Sequence, residues 1–386
     1  MSWLWKSLIW ALVMIFIFLI FTLFLPYVLG LNYNASLTLA SKSQENPIPT
    51  IVVTHITTPE PLKALYMTSC IANTLLWRQS LKELIETTEL NAVVIDIKDS
   101  TGSISFQENV NVSAHSGCYI QDLKEFVAEL HKVNIYVIGR VAVFQDPLYS
   151  KMHPELAVKK KSDGTVWKDY KGLSFIDVGA KPYWDYIVRI SRSAYEIGFD
   201  ELNFDYVRYP SDGNMSDTDL TWTGTTTKSV MLGDFFKYLS ANLKDSRAKL
   251  SVDLFGMTTT VGTDMNIGQV LENALPYFDY ISPMVYPSHY PPTWNGFANP
   301  AEHPYEVIKI SMSKGREREQ AFNIANGLAT STPSKLRPWL QDFNLGATYD
   351  KEKVRAQIQA IYDIGLTSWM LWNAGSKYTK EALLTN

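Results

Sequence analysis

After Pro61 the sequence alternates between short β-branched or aromatic runs and longer amphipathic stretches. The runs are LKALYMT (62–68), AVVIDIKD (92–99), IYVIGRVAVF (135–144), ELNFDYVRY (201–209), KLSVDLFGM (249–257), YISPMVYP (280–287), LRPWLQDF (336–343) and LTSWMLWN (366–373). Between them, RQSLKELIETTE, YIQDLKEFVAELHKV, YWDYIVRISRSAYEIG, SVMLGDFFKYLSANLKD and KEKVRAQIQAIYDIG repeat apolar residues at three- and four-residue steps, the period of a helix with one buried face. Gly198 and Gly365 close two of these helices, each just before an apolar residue that opens the next strand. Strands that alternate with helices form a parallel sheet. Eight such units over residues 62–386 predict an α/β fold, a closed (β/α)8 TIM barrel. No glycine-rich phosphate loop follows any run, which argues against a doubly wound nucleotide fold.

The segment before Pro61 does not share this pattern. Ser7 to Leu31 carries no charge and is dominated by Ile, Leu, Phe and Val, long enough to cross a hydrocarbon core of about 30 Å. Trp3, Trp5 and Trp10 stand near one end and Tyr27 near the other, and Lys6 is the only charged side chain ahead of the run. Residues 1–32 therefore read as a transmembrane anchor that enters the lipid bilayer through residues 8–31. This implies a single-pass membrane protein with an extracytoplasmic C-terminal domain. A cleaved signal, giving a secreted protein, is the alternative, but its apolar core is normally shorter. Residues 33–61, rich in Pro, Ser and Thr, read as linker.

Side chains alternate along a strand, so one parity faces the barrel lumen. Asp96 and Lys98, Arg140, Asn203 and Asp205, Ser251 and Asp253, Ser282 and Tyr286, and Gln341 share that parity, at or near the C-terminal halves of their runs. In barrels of this type the reactive face lies at that end. Charge inside a barrel is costly unless paired, so a converging set of Asp96, Lys98, Arg140, Asp205 and Asp253 is hard to attribute to packing alone.

Several chemistries lack their signatures. No nucleophile elbow, Ser-x-x-Lys, HxH or HExxH occurs, so no metal ligand set and no cofactor is predicted. Lys and Arg total 35 against 39 Asp and Glu, so there is no basic footprint for nucleic acid. Cys70 and Cys118 follow the first and second strands and form either a disulfide at the barrel rim or two free thiols. Carboxylates and aromatics remain: the chain has 11 Trp and 21 Tyr, residues whose flat apolar faces suit sugar rings. Glycoside hydrolysis uses two carboxyl groups flanking the scissile bond, about 5–5.5 Å apart for retention and roughly 6.5–9.5 Å for inversion. Asp205 and Asp253 lie on consecutive strands about 4.8 Å apart, at similar height.

VVIDIKDSTGSISF, YVIGRVAVFQDPL, GFDELNFDYVRYPSDG, SVDLFG, YISPMVYPSHY and RPWLQDF together resemble the DUF4015 glycoside hydrolase domain family, barrels of mostly bacterial envelope proteins. The resemblance spans nearly all of residues 62–375. A more distant likeness is to family 18-type glycosidases, whose M-x-Y is similar to Met284-Val285-Tyr286 and whose last-strand Trp is similar to Trp372. That family's D-x-x-D-x-D-x-E is met by Asp200, Asn203 and Asp205 in the first three marked positions, but Val207 stands where the acid Glu belongs.

The resemblance implies a glycoside hydrolase that cleaves O-glycosidic bonds of a polysaccharide. The catalytic candidates are Asp205 as nucleophile or base, Asp253 as proton donor and Asp96 as the alternate donor. The substrate-binding candidates are Lys98, Arg140, Asn203, Arg208, Tyr286, Gln341 and Trp372. Lys98 and Arg140 are expected to lower the pKa of a neighbouring carboxylate. Trp339, Trp369 and Trp372 are candidates for a stacking floor, although Trp369 and Trp372 differ in parity. The alternative is a non-catalytic envelope protein that binds glycan in the same barrel mouth.

Overall fold

The computed structural model describes Met14, Leu19 and residues 52–106, 117–329 and 331–386. The expected anchor at residues 8–31 lies outside the described residues apart from Met14 and Leu19. Among the described residues no helix is long and apolar enough to cross a membrane.

Eight parallel strands close into a barrel: β1 (Lys63–Met67), β2 (Ala92–Lys98), β3 (Tyr136–Ala142), β4 (Glu201–Asp205), β5 (Lys249–Phe255), β6 (Tyr280–Met284), β7 (Trp339–Gln341) and β8 (Trp369–Trp372). Each pairs with its sequence neighbours, and β8 returns to β1. All lie within the runs predicted from sequence. The outward parity (Leu65, Val93, Ile95, Val137, Val141) joins the large apolar layer under the helices. The inward parity fills the lower lumen with Ala64, Ala92, Val94, Tyr136, Ile138, Trp339 and Met370.

The covering helices are α1 (Leu75–Glu86), α2 (Leu123–Lys132), α3 (Lys181–Glu196), α4 (Lys228–Leu243), α5 (Pro304–Ala325) and α6 (Lys351–Asp363). In α2, Leu123, Phe126, Val127 and Leu130 bury the stripe that its periodicity predicts. Asp350 caps α6 by accepting from the backbone N of Lys353 at 3.0 Å. The 22-residue helix α5 was not among the predicted amphipathic stretches. Its buried face carries Ser311, Gly315 and Glu319 beside Val307, Ile308 and Met312, which conceals the apolar period.

Residues 53–61, within the expected linker, are fastened to the N-terminal end of the barrel. Asp200 accepts from the backbone N of Ile56 at 2.8 Å and of Val137 at 2.9 Å, and it meets His131 Nε2 at 2.9 Å. Burial opposes the charge of Asp200, but the bonds from His131 and His55 outweigh it and hold the carboxyl below its ordinary pKa. Deeper in the lumen, Arg337 pairs with Glu201, both fully buried.

On the opposite face the loops after β3 and β4 form an excursion. Lys159–Lys160 pairs antiparallel with Thr218–Asp219, over a small core of Val158, Trp167 and Phe175. Cys70 and Cys118 form a disulfide that ties the β1 and β2 loops together.

Candidate active site

Strand register assembles the site. Asp96 lies opposite Arg140, Arg140 opposite Asn203, and Asn203 opposite Ser251, one rung across four neighbouring strands. Asp205 and Asp253 stand two residues further along β4 and β5, toward the C-terminal mouth.

Arg140 is the centre of the rung. Its Nη1 donates to Asp96 Oδ1 at 2.6 Å, and its Nε and Nη2 donate to Asp205 Oδ2 at 3.1 and 2.5 Å. Burial works against the guanidinium charge, but Asp205 and Asp96 outweigh it and hold Arg140 well above its usual pKa. Asp96 also accepts from Tyr66 Oη at 2.5 Å, so both of its oxygens are engaged. Burial raises the Asp96 carboxyl, with Arg140 opposing. The ring of Tyr66 stacks on Trp372 at 4.0 Å between centroids, and the Arg140 guanidinium lies 5.0 Å from the Trp372 ring centroid.

Asp205 is fixed from a second side. Tyr206 turns into the left-handed region at φ 51°, a conformation that costs a bulky residue roughly 1–2 kcal/mol. The backbone N–H of Tyr206 donates to Asp205 Oδ1 at 2.6 Å. Strain stored beside a reactive group is a recurring mark of functional sites.

Asp253 is held differently. Its Oδ1 accepts from Asn203 Nδ2 at 2.8 Å and from the indole Nε1 of Trp339 at 2.8 Å. Among the described residues nothing bonds Oδ2, and Asp253 belongs to the wall of the open cavity. Burial, reinforced by the nearby charge of Asp205, pushes the Asp253 carboxyl up to about 8. A carboxylic acid that is neutral near pH 7 can donate a proton.

The cavity measures about 330 Å³. Of the predicted residues, Arg140, Asp205, Arg208, Asp253, Tyr286 and Trp372 line it. Tyr206, Phe255, Gly256, Met257, Met284, His289 and Tyr290 complete the wall and were not predicted. Burial lowers the His289 pKa, which keeps its ring neutral near pH 7. Tyr206 could have been flagged only by the adjoining Asp205, because sequence does not show a positive φ.

The other predicted residues take different places. Lys98 is fully buried behind the strand, where Nζ donates to Ala142 O at 2.7 Å and pairs with Asp146 at 2.8 Å. The cause is a bulge in β2: the register shifts between Asp96 and Lys98, and Lys98 aligns with outward-facing Val141. It therefore binds no substrate from this position and sits in an ion pair of its own rather than beside Asp205. Asp146 was missed, although Asp146-Pro147 carries the signal of a helix cap followed by proline at the first helical position. Asn203 orients Asp253 instead of lining the cavity, and Asp96 backs Arg140. Gln341 is fully buried, accepting from the backbone N of Ser288 at 3.1 Å and donating to Phe343 O at 2.9 Å. Of the three candidate stacking tryptophans only Trp372 reaches the cavity. Trp339 is buried with its N–H on Asp253, and Trp369 faces outward to donate to Tyr362 Oη at 3.1 Å. Asp200 lies at the opposite end of β4, among His131 and the 53–61 segment. Val207, where a family 18 acid would stand, is fully buried in the apolar layer.

Several solved structures are similar to this chain to different extents. A hypothetical protein from Ruminiclostridium thermocellum is 33% identical over 49% of this chain and 96% of its own, with a TM-score of 0.45. The PgaB (BpsB) glycoside hydrolase domain from Bordetella bronchiseptica superposes with a TM-score of 0.59 at 13% identity, covering 82% of this chain and 95% of its own. Alpha-L-fucosidase isoenzyme 2 from Paenibacillus thiaminolyticus gives a TM-score of 0.54 at 8% identity, over 83% and 48% of the two chains. At those identities the last two likenesses speak to the fold. No curated protein sequence matches. The DUF4015 family, described as "Putative glycosyl hydrolase domain", matches residues 64–378. With the barrel, the paired aspartates at its mouth and that match over most of its length, the chain belongs to the DUF4015 glycosyl hydrolase domain family.

Proposed function

We propose that the protein cleaves O-glycosidic bonds of a polysaccharide, with Asp253 as proton donor and Asp205 as nucleophile or base. One observation carries the reading. Asp253 is pinned through one oxygen, exposes the other to the cavity and has its pKa raised to about 8 beside Asp205. In the reaction the glycosidic oxygen takes the Asp253 proton as its bond to the anomeric carbon breaks. Asp205 either attacks that carbon or deprotonates the water that does. Trp372 and Tyr286 offer ring faces in the same wall, and Arg140 holds Asp205 in place.

The uncharged run at residues 8–31 supports placing this barrel outside the cytoplasmic membrane on a single anchor. Alkaline extraction of membranes tests that part: an anchored chain stays in the pellet, and a chain shortened to begin after residue 32 leaves it.

The chemistry is tested by incubating the chain with bacterial and plant polysaccharides and counting new reducing ends. Asp205→Asn or Asp205→Ala is expected to lower kcat/KM about a thousandfold, close to 4 kcal/mol of transition-state stabilisation. Near-parental turnover by a folded Asp205→Ala protein would remove Asp205 from the mechanism. Glycan binding without turnover by the parent would favour a binding protein.

A further inference from the structure

Arg208 is the second guanidinium in the cavity wall, and its setting is unlike that of Arg140. Arg140 spends its donors on two aspartates. Among the described residues Arg208 forms no ion pair; its Nη1 donates to Tyr209 O and to Ser211 Oγ, both at 3.1 Å. Those bonds fix the plane of the group and leave Nε and Nη2 without a protein acceptor among the described residues. Three rings frame it, with the guanidinium carbon 5.7 Å from the Phe175 centroid, 5.4 Å from Tyr206 and 5.0 Å from Phe255. Aromatic faces hold a cation without consuming its N–H groups. A guanidinium keeps its charge even where burial lowers its pKa, as it does here.

We infer that Arg208 reads an acidic substituent on the substrate, so that the polysaccharide this site accepts carries a carboxylate or sulfate on the sugar bound in the cavity. An oxyanion with two oxygens in one plane matches the edge of a fixed guanidinium formed by its Nε–H and one Nη2–H. The bonding in the wall agrees. Arg140 is spanned by Asp205 and Asp96, whereas Arg208, whose charge Asp205, Asp212 and Asp169 support from nearby, has no carboxylate bonded to it among the described residues. The inference rests on the hydrolase reading for its substrate but not for its test.

The test is binding by the full-length chain. Intrinsic tryptophan fluorescence is titrated with three pairs: D-glucuronate and D-glucose, D-galacturonate and D-galactose, and N-acetylglucosamine 6-sulfate and N-acetylglucosamine. At least one acidic sugar is expected to bind about tenfold or more tightly than its neutral partner, and the pair that does so distinguishes carboxylate from sulfate. Arg208→Gln is expected to erase that ratio by weakening the acidic sugar more than its neutral partner, and Arg208→Lys to restore part of it, which general damage to the fold would not do. Acidic sugars that bind no tighter than neutral ones, or show no saturation up to about 50 mM, would overturn the inference. So would a preference that survives Arg208→Gln. Turnover of a neutral polysaccharide without acid preference would overturn it and leave the hydrolase reading intact. An Arg208-dependent acid preference without turnover of any polymer would do the reverse.

Discussion

Replacing Asp253 by Asn should abolish activity and yet stabilise the protein, increasingly so as the pH rises. In the unfolded chain an aspartate titrates near 3.9, whereas burial and Asp205 raise the folded Asp253 to about 8. Below about pH 4 both states hold the proton and the site adds no pH dependence. Between about pH 4 and pH 8 the folded state keeps a proton that the unfolded state has released, so raising the pH favours unfolding. Each unit is worth about 1.4 kcal/mol, and the whole window roughly 5 kcal/mol. Above about pH 8 both states are ionised and the penalty is constant.

Asn fits the same space and does not titrate. Its Oδ1 can accept from Asn203 and Trp339 as the aspartate does, each now at 2.8 Å. Denaturant unfolding of both proteins at pH 5 and pH 8 checks the argument. The variant's advantage should widen by roughly 1 kcal/mol per pH unit across that interval, while kcat/KM falls by about 10²–10⁴-fold, the contribution of a general acid. The parent's kcat/KM should decline above about pH 8 as Asp253 loses its proton. A stability advantage that is equal at the two pH values, or that shrinks on going to pH 8, would refute the raised pKa and with it the assignment of Asp253 as donor.

Three other perturbations separate structure from chemistry. Lys98→Met removes the cation paired with fully buried Asp146, which among the described residues keeps only the bonds from Tyr149 N and Tyr183 Oη, so stability should fall by about 3–5 kcal/mol in denaturant melts, with KM unchanged in the folded protein. Gly256→Ala places a methyl 2.6 Å from Met284 O and 2.9 Å from Val285 Cα, both backbone; strand β6 must shift, at about 1–3 kcal/mol and with weaker substrate binding. Reducing Cys70–Cys118 frees a link across a sequence separation of 48, which loop entropy puts at about 4 kcal/mol, read as a lower Tm under reducing agent with the barrel's circular dichroism retained.

The eight strands were legible because a parallel barrel buries both faces of every strand, and buried β-branched runs between helical stretches have few other homes. Parity then carried Asp96, Arg140, Asp205 and Asp253 to the lumen. It failed at Lys98, because one extra residue in β2 turns every later side chain over and nothing in AVVIDIKD announces the bulge. It was also silent on height and reach. Asn203 and Trp339 do face inward, but what they do there depends on Asp253 lying within 2.8 Å, a distance set by three strands at once. Helix α5 escaped for a local reason: with Gly315 in its buried stripe it packs close to Thr259, and close approach selects small residues over the apolar ones that periodicity detects.

Charge inside the barrel sorts into two kinds, and the difference bears on what the mouth is for. Glu201 with Arg337 and Lys98 with Asp146 each pair one charge with one partner in a buried place, and Asp200 meets both His131 and His55. Such pairs hold neighbouring elements in register and need no ligand to explain them. Asp96 joins them: Tyr66 and Arg140 bond its two oxygens and it stands behind the cavity, whereas Asp205, its oxygens bonded by Tyr206 N–H and Arg140, belongs to the cavity wall. Asp253 and Arg208 do not fit that account. Asp253 has one oxygen without a bond among the described residues and a carboxyl that burial and Asp205 push up to about 8, and Arg208 keeps Nε and Nη2 without an acceptor among the described residues, within a frame of aromatic rings. A stabilising Asp253→Asn, on the wall of the cavity that also contains Asp205, is the outcome that the proposed role of Asp253 requires.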